Sequence, residues 1–123
     1  MVPNFWSEKP VQRTTGLDLT AFDQYERARP NSPGRARAEF VRTLEEQMAV
    51  IERAARKDDW EAVAKTAHRV RALAGIIHAE ALNEAATILE TTARKGSADQ
   101  RASRTQITLV AGRALRARLS DGV

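Results

Sequence analysis

Apolar residues recur at helical spacing along four long stretches of this chain. Steps of three and four residues place side chains on one face of an α-helix. The predicted apolar stripes are Phe40, Leu44, Met48, Ile51 and Ala55; Trp60, Val63, Ala67, Val70 and Ala74; Leu82, Ala85, Leu89 and Ala93; and Ile107, Val110, Ala114 and Ala117. The pattern predicts four amphipathic helices that bury these stripes against one another.

Residues of the kinds that start and stop helices separate these stretches. Ser32 followed by Pro33 predicts the start of the first long helix. An aspartate-type capping box at residues 58–61 predicts that the second begins near Asp59. Two cations followed by Gly96 predict the end of the third, and the fourth is expected over residues 99–119.

The part of the chain before the first long helix divides into two regions. Residues 1–16 contain prolines and a glycine but no sustained period, which indicates an extended leader. Phe5 and Trp6 of this leader are expected to pack back onto the folded body, with docking of a partner as the alternative. Residues 17–25 predict a short helix.

Together these elements predict an all-α fold, in which an antiparallel up-and-down four-helix bundle has a short extra N-terminal helix in front. Asp18 or Thr20 is the candidate cap of that short helix. Short predicted connections favour antiparallel neighbours. The folded domain is expected to span residues 17–120.

Composition supports one helical domain and excludes several classes of function. The 123 residues are 42% hydrophobic and 29% charged, which is enough for a single core. The chain has no cysteine, so disulfides, thiolate metal sites and cysteine nucleophiles are excluded. Neither a membrane span nor a signal peptide is recognisable, and a cytoplasmic protein is expected. The formal net charge of +4 favours an acidic partner.

Of the two histidines, His68 has the surroundings of a reactive group. It is predicted at the edge of the buried stripe of the second long helix, about a third of a turn from its centre, where the ring meets solvent. Lys65 and Arg71 stand three residues to either side. A neutral imidazole nitrogen is a nucleophile and cations hold phosphate oxygens, so these residues form a candidate phosphoryl site. The alternative is a solvated surface histidine.

Other kinds of site are weakly supported. His78 is expected in the turn after the helix, and no acidic residue has ligand spacing to both histidines, so no metal site is expected. The chain has no P-loop, dinucleotide-binding glycines or nucleophile elbow. Residues 94–118 hold seven basic residues, one acidic residue and no aromatic one, which leaves a nucleic-acid backbone binder as an alternative.

Residues 58–72 and the following turn resemble the histidine-containing phosphotransfer (HPt) domain family. The family pattern is a D-W element, then A-H-x-L-K-G, then a G-A-x-x-L turn and a closing L-E pair. The matching residues here are Asp59, Trp60, Ala67, His68, Ala79, Leu82, Leu89 and Glu90, while Val70 replaces the leucine of the pattern and Arg71 stands where the family has lysine. The departures are Ala72 and His78, which replace glycines, and Leu73, which takes a commonly small or polar position.

The resemblance implies a carrier in a two-component phosphorelay. His68 would take a phosphoryl group from an aspartyl phosphate on a receiver domain, or from a hybrid sensor histidine kinase, and pass it to another receiver. Lys65 and Arg71 would steady the phosphate. Such a carrier has no self-contained active site and no cofactor or metal of its own, and a monomer is expected.

The resemblance also implies where a receiver would dock. The surface would be formed by the first two long helices near Ala64, Ala72 and Gly75, small residues one and two turns from His68. A basic carrier suits the acidic residues that receivers gather around their phosphorylation site. Three functions thus stay open: the phosphocarrier, a non-catalytic bundle that binds a receiver or kinase as a regulator, and a basic nucleic-acid binder.

Overall fold

The computed structural model of the protein describes residues 16–28 and 34–120, which form five helices. The helices are α1 (Thr20–Ala28), α2 (Arg35–Arg56), α3 (Trp60–Ile76), α4 (Glu80–Lys95) and α5 (Ala98–Ser120). Strands are absent from these two ranges. The connections 57–59, 77–79 and 96–97 are short, so consecutive long helices run antiparallel. The predicted bundle with a short helix in front is confirmed.

Several predictions concern residues outside the described ranges. The leader predicted over residues 1–16 lies there apart from Gly16, and so do Phe5 and Trp6. The predicted cap Ser32 with Pro33 also lies outside. In the structure, α2 begins directly after Gly34, whose φ of 76° lies in the left-handed region that favours glycine.

The short helix α1 begins at Thr20 and not at residue 17 as predicted, so Asp18 lies before the helix. The Asp18 carboxylate accepts a hydrogen bond from the amide of Thr20 at 2.9 Å, and the Asp18 amide donates to the carbonyl of Ile77 at 2.7 Å. Phe22 is buried edge-on against Phe40 of α2, with ring centroids 5.4 Å apart. These contacts fasten α1 to α2 and to the turn after α3.

The start of α3 agrees with the prediction, but its cap is a different aspartate. The Asp59 carboxylate accepts a hydrogen bond from the amide of Ala62 at 3.2 Å, and α3 begins at the next residue. Asp58 has a φ of 57° in the turn that ends α2. The predicted pairing of Asp58 with Glu61 is therefore wrong, because Asp58 is too far into that turn to cap α3.

The predicted end of α4 is confirmed, and a close approach of the backbone explains its glycine. Gly96 has an extended backbone, and its amide donates to the carbonyl of Thr92 at 2.7 Å. A Cβ atom at Gly96 would lie 2.6 Å from the Thr92 methyl carbon. Glycine is therefore needed here for space.

The core contains most of the predicted stripes of α2, α3 and α4. The buried members are Phe40, Leu44, Met48, Ile51, Val63, Ala67, Val70, Ala74, Leu82, Ala85, Leu89 and Ala93. Ala54 is buried in place of the predicted Ala55, and Trp60 is only half-buried. Three of the four predicted stripes thus orient their helices correctly.

The predicted stripe of α5 is wrong. Ile107, Val110, Ala114 and Ala117 are all exposed. The residues that α5 buries are Thr105, Thr108, Leu109, Gly112, Leu115 and Leu119. The helix is therefore turned by about half a revolution from the predicted orientation.

Packing against α2 and α4 explains this orientation of α5. The Thr108 hydroxyl is within hydrogen-bond distance of the carbonyls of Arg104, at 2.8 Å, and Ala85 of α4, at 3.2 Å, so it is satisfied when buried. Gly112 lies against Met48 of α2, where a Cβ atom would overlap the methionine side chain. The orientation buries three leucines and brings α5 close to its neighbours.

The four long helices occupy the corners of the bundle in chain order. Helix α3 packs against α2 and α4, and α5 packs against the same two helices. As a result α3 and α5 stand at opposite corners. None of the described helices has the length and hydropathy that crossing a bilayer requires.

Candidate functional site

His68 lies on the outer side of α3, where that helix meets α4. Its side chain is 58% exposed, whereas its neighbour Ala67 is fully buried in the core. The position agrees with the predicted edge of the buried stripe. The histidine is thus held by a rigid helix and remains accessible to a partner.

Two side chains approach the same ring nitrogen of His68. Nδ1 lies 3.1 Å from Oε2 of Glu90 on α4 and 3.2 Å from Nη2 of Arg71 on α3. A carboxylate accepts and a guanidinium donates, so one tautomer of the ring cannot satisfy both. Nδ1 therefore either donates a hydrogen bond to Glu90 or accepts one from Arg71.

Burial favours the hydrogen bond to Glu90. The Glu90 side chain is only 17% exposed and needs donors, whereas Arg71 is 39% exposed and reaches water. Arg71 also lies 3.6 Å from the second carboxylate oxygen of Glu90. A neutral ring that carries its proton on Nδ1 donates it to Glu90 and leaves the lone pair of Nε2 directed away from this contact.

Glu90 is the centre of a group of charges that joins α3 to α4. Besides His68 and Arg71, its carboxylate is paired with Arg94 at 3.4 Å, and Arg94 reaches Glu61 of α3 at 3.6 Å. A carboxylate with several donors and little exposure is held in one place more firmly than a solvated one. This arrangement can fix both the orientation and the tautomer of the imidazole.

The predicted phosphate-steadying cations have different surroundings. Lys65 is exposed one turn before His68 and makes no ion pair with the described residues. Arg71 lies at the Nδ1 edge of the ring and is engaged with Glu90. The structure thus brings Arg71 to the histidine by way of Glu90, and leaves Lys65 on the open side of α3.

One of the residues predicted for the docking surface, Ala64, is not on the surface around His68. Ala64 is fully buried in the core, so it cannot contact a partner. Ala72 and Gly75 are exposed as predicted. Besides α3, the surroundings of His68 include α4, the third long helix, through Glu90. The surface around His68 also includes Ile76, which is 52% exposed.

A polar contact that helical spacing does not predict joins the last turns of α3 to the start of α4. The Asn83 side chain donates to the carbonyl of Arg71 at 3.1 Å, and it is also the nearest group to Gly75. Leu73, one of the departures from the family pattern, is half-buried against the core. Ala72 places its methyl group on the exposed surface one turn from His68.

His78 occupies a strained position at the end of α3. Its φ is 55°, in the region where glycine is favoured, and this matches the glycine of the HPt pattern at that position. Its Nε2 is 3.9 Å from the Asp18 carboxylate. Hydrogen bonds from the Thr20 side chain and then its backbone lower the pKa of Asp18, and His78 contributes to this. Over the two described ranges, no group of side chains suits a metal ion.

The arginines of α5 are largely engaged within the fold. Arg113 pairs with Glu52 at 3.3 Å and Arg116 with Glu45 at 3.5 Å, both on α2. Arg101 lies over the ring of Trp60, 5.5 Å from its centroid. Three arginines of α5 thus contact other helices of the bundle.

Glu90 and Arg94 are the main residues of the site that the sequence analysis did not assign a role. Glu90 belongs to the L-E pair of the family pattern, but its contact with His68 joins residues on two different helices that are 22 positions apart in the chain. Helical spacing alone cannot reveal such a contact. Ile76 is not predicted as part of this surface, because it follows Ala74, the last residue of the predicted stripe.

Comparison with known proteins gives one match. The family model described as Hpt domain matches residues 35–121, which comprise the four long helices and the site around His68. No curated protein and no solved structure matches the chain.

Proposed function

The chain belongs to the Hpt domain family, whose members carry out histidine phosphotransfer in two-component phosphorelays, and we propose that His68 is its phosphoacceptor. The partners of such domains are receiver domains and sensor kinases. The proposed role is to carry a phosphoryl group between receiver aspartates, or from a sensor histidine kinase to a response regulator.

The proposed transfer uses Nε2 of His68 as the nucleophile. Its lone pair attacks the phosphorus of an aspartyl phosphate on the receiver, a nitrogen–phosphorus bond forms, and the acyl phosphate bond breaks to return the aspartate carboxylate. The imidazole keeps its proton on Nδ1 and becomes positively charged. Transfer to the next receiver is the reverse attack by its aspartate.

Glu90 supports this step from the opposite side of the ring. Its carboxylate lies 3.1 Å from Nδ1, where it accepts a hydrogen bond from the retained N–H group and offsets the positive charge of the phosphorylated imidazole. Arg71 and Arg94 hold the carboxylate in position. In this proposal Glu90 is a positioning residue that selects the nucleophilic nitrogen.

The exposed cations of α3 suit the approach of an anionic partner. Lys65 is proposed to hold phosphate oxygens during transfer, and Arg71 joins it there when its side chain leaves Glu90. Ala72, Gly75 and Ile76 are proposed to contact the receiver, since they are exposed on the same helix. Magnesium for the acyl phosphate chemistry belongs to the receiver.

One observation carries the proposal: His68 is exposed while its Nδ1 is held by a carboxylate that is almost buried. The test is to incubate the purified chain with magnesium and phosphorylated receiver domains from the source organism. We expect label on the wild type that is lost in acid and kept in base. His68→Gln should accept none.

His78→Gln is the matched control, because it removes the other histidine and should retain the label. Label on His68→Gln, or its loss in His78→Gln, would contradict the assignment. If receivers bind the chain but none transfers a phosphoryl group, the non-catalytic regulator becomes the better interpretation. The nucleic-acid binder is less well supported, because several α5 arginines contact α2 and Trp60 at separate places and do not form one continuous phosphate-binding surface.

A further inference from the structure

The outward face of α5 has an apolar stripe that the rest of the described chain leaves exposed. This outer stripe consists of Ile107, Val110, Ala114 and Ala117. Ile107 is 44% exposed and Val110 is 56% exposed, and they are two of the three large apolar residues exposed among the described residues. Steps of three, four and three residues are the spacing with which one helix packs along another in a coiled coil.

The outer stripe lies at the corner of the bundle opposite the candidate site. Helix α5 packs against α2 and α4, whereas His68 lies on α3 at the other corner. A partner bound along the outer stripe would therefore leave His68 open to a receiver. The stripe is thus a separate surface from the one used for phosphotransfer.

Arginines flank the outer stripe on both of its sides. Arg104 and Arg118 lie on the side towards α4, where each lines a groove with residues of that helix. Arg113 lies on the side towards α2, and its ion pair with Glu52 is exposed at both ends. The flanking charges of a coiled-coil seam select the partner helix. Asp99, in the first turn, is the one acidic residue of α5.

We propose that the outer stripe binds an amphipathic helix of an acidic partner protein. The apolar face of that helix covers Ile107 and Val110, and its glutamates or aspartates face Arg104 and Arg113. A second copy of α5 fits less well, because it would bring the arginines of two chains together. Nucleic acid would use the arginines but would leave the apolar stripe uncovered.

The sizes of the stripe residues add a requirement for the partner. Ala114 and Ala117 are small, so the backbone of a second helix can approach closely at that end, or large side chains of the partner can fill the space. Ile107 and Val110 project further at the other end. The partner helix is therefore expected to have larger apolar residues opposite the alanines.

The test uses the full chain and two synthetic helical peptides of about three heptads each. Both peptides have the same apolar face, but one has glutamate and the other lysine at the flanking positions. Fluorescence anisotropy measures their binding at about 0.15 M salt. The glutamate peptide should bind at least about tenfold more tightly, and Ile107→Ser with Val110→Ser should weaken it by about tenfold or more.

Ile76→Ser is the matched control, because Ile76 is also exposed and apolar but lies on α3. It should leave binding of the glutamate peptide unchanged. Phosphotransfer to His68 should be the same in the double serine variant as in the wild type. A result that contradicts helix binding at the outer stripe can therefore be distinguished from one that contradicts the carrier function.

Three results would overturn the proposal. The first is equal binding of the two peptides, or binding that the double serine variant does not weaken. The second is a dimer of the wild type in sedimentation equilibrium that the double serine variant dissociates, which would assign the stripe to a second copy. The third is tight binding of duplex DNA that Arg104→Gln and Arg113→Gln abolish but the serine changes do not.

Discussion

Helices α3 and α5 stand at opposite corners of the same bundle, but they relate sequence to structure in opposite ways. Helix α3 buries the apolar stripe that its sequence predicts and exposes a polar face with His68. Helix α5 exposes its predicted stripe, including Ile107 and Val110, and buries two threonines and a glycine among its leucines. Both outward faces are basic, but only that of α3 has a carboxylate-held histidine.

The difference shows what hydrophobicity decides and what packing decides. In α3 the buried valines and alanines lie on one stripe, and the face away from the core has Glu61, Lys65 and Arg69, so one orientation is strongly favoured. In α5 two faces have apolar residues, and Leu109, Leu115 and Leu119 lie on the one that also includes Gly112. The close contact of Gly112 with Met48 favours that face.

The largest expected effect tests the orientation of α5 directly. Leu109→Ala removes a buried side chain and should lower the free energy of unfolding by about 2–5 kcal/mol, whereas Ile107→Ala should lower it by less than about 1 kcal/mol. Urea unfolding of both variants measures the difference. If the two substitutions lowered the free energy of unfolding equally, or Ile107→Ala lowered it more, the orientation predicted from the sequence would be supported instead.

The second prediction concerns the carboxylate that distinguishes the α3 corner. Glu90→Gln keeps the shape but removes the charge beside Nδ1 of His68. Transfer to His68 should slow by about tenfold, because the charge on the phosphorylated ring is no longer offset. Nitrogen NMR of His68 should also show a larger share of the other tautomer.

Glu61→Gln is the control for that change. Glu61 also pairs with Arg94 but has no contact with His68, so both the rate and the tautomer should stay as in the wild type. If Glu90→Gln changed neither quantity, the carboxylate would have only a structural role. An equal effect of the two substitutions would point to Arg94 rather than to the imidazole contact.

A third prediction tests the backbone at the end of α3. His78→Gly should raise the free energy of unfolding by roughly 0.5–1 kcal/mol, because glycine adopts the observed φ of 55° without steric cost. The lost contact with Asp18 is long and exposed and contributes little. His78→Ala is the control: it keeps the strain, and thermal unfolding should show no gain in stability.

The smallest effect is a pH dependence in the segment that precedes α1. The hydrogen bonds from Thr20 lower the pKa of Asp18 in the folded chain, so this carboxylate stabilises the fold above its unfolded pKa. That contribution is lost as the pH falls through the folded pKa, below about pH 4. The stability difference between wild type and Asp18→Asn should therefore shrink on acidification. A difference that stays constant from neutral pH to about pH 2 would contradict this.

Much of the candidate site could be predicted from the sequence because it depends on one helix. The place of His68 beside the buried Ala67 predicts that it lies at the edge of the stripe. The position of Lys65 one turn earlier predicts that it lies on the same side of α3. Glu90 could not be assigned in the same way, since its contact with His68 depends on how α3 and α4 pack. The burial of Ala64 likewise depends on how the helices pack into one core and not on the spacing within α3.

Local spacing and capping were enough to predict the helical fold, the start of α3, the end of α4, three of the four buried faces and the exposed position of the candidate histidine. Only the tertiary structure decided which face of α5 is buried, which helix borders His68 and which of its nitrogens is held. Those features arise from contacts between residues far apart in the chain. Side-chain size and hydrogen bonding at such contacts outweigh the hydrophobicity of a single helix.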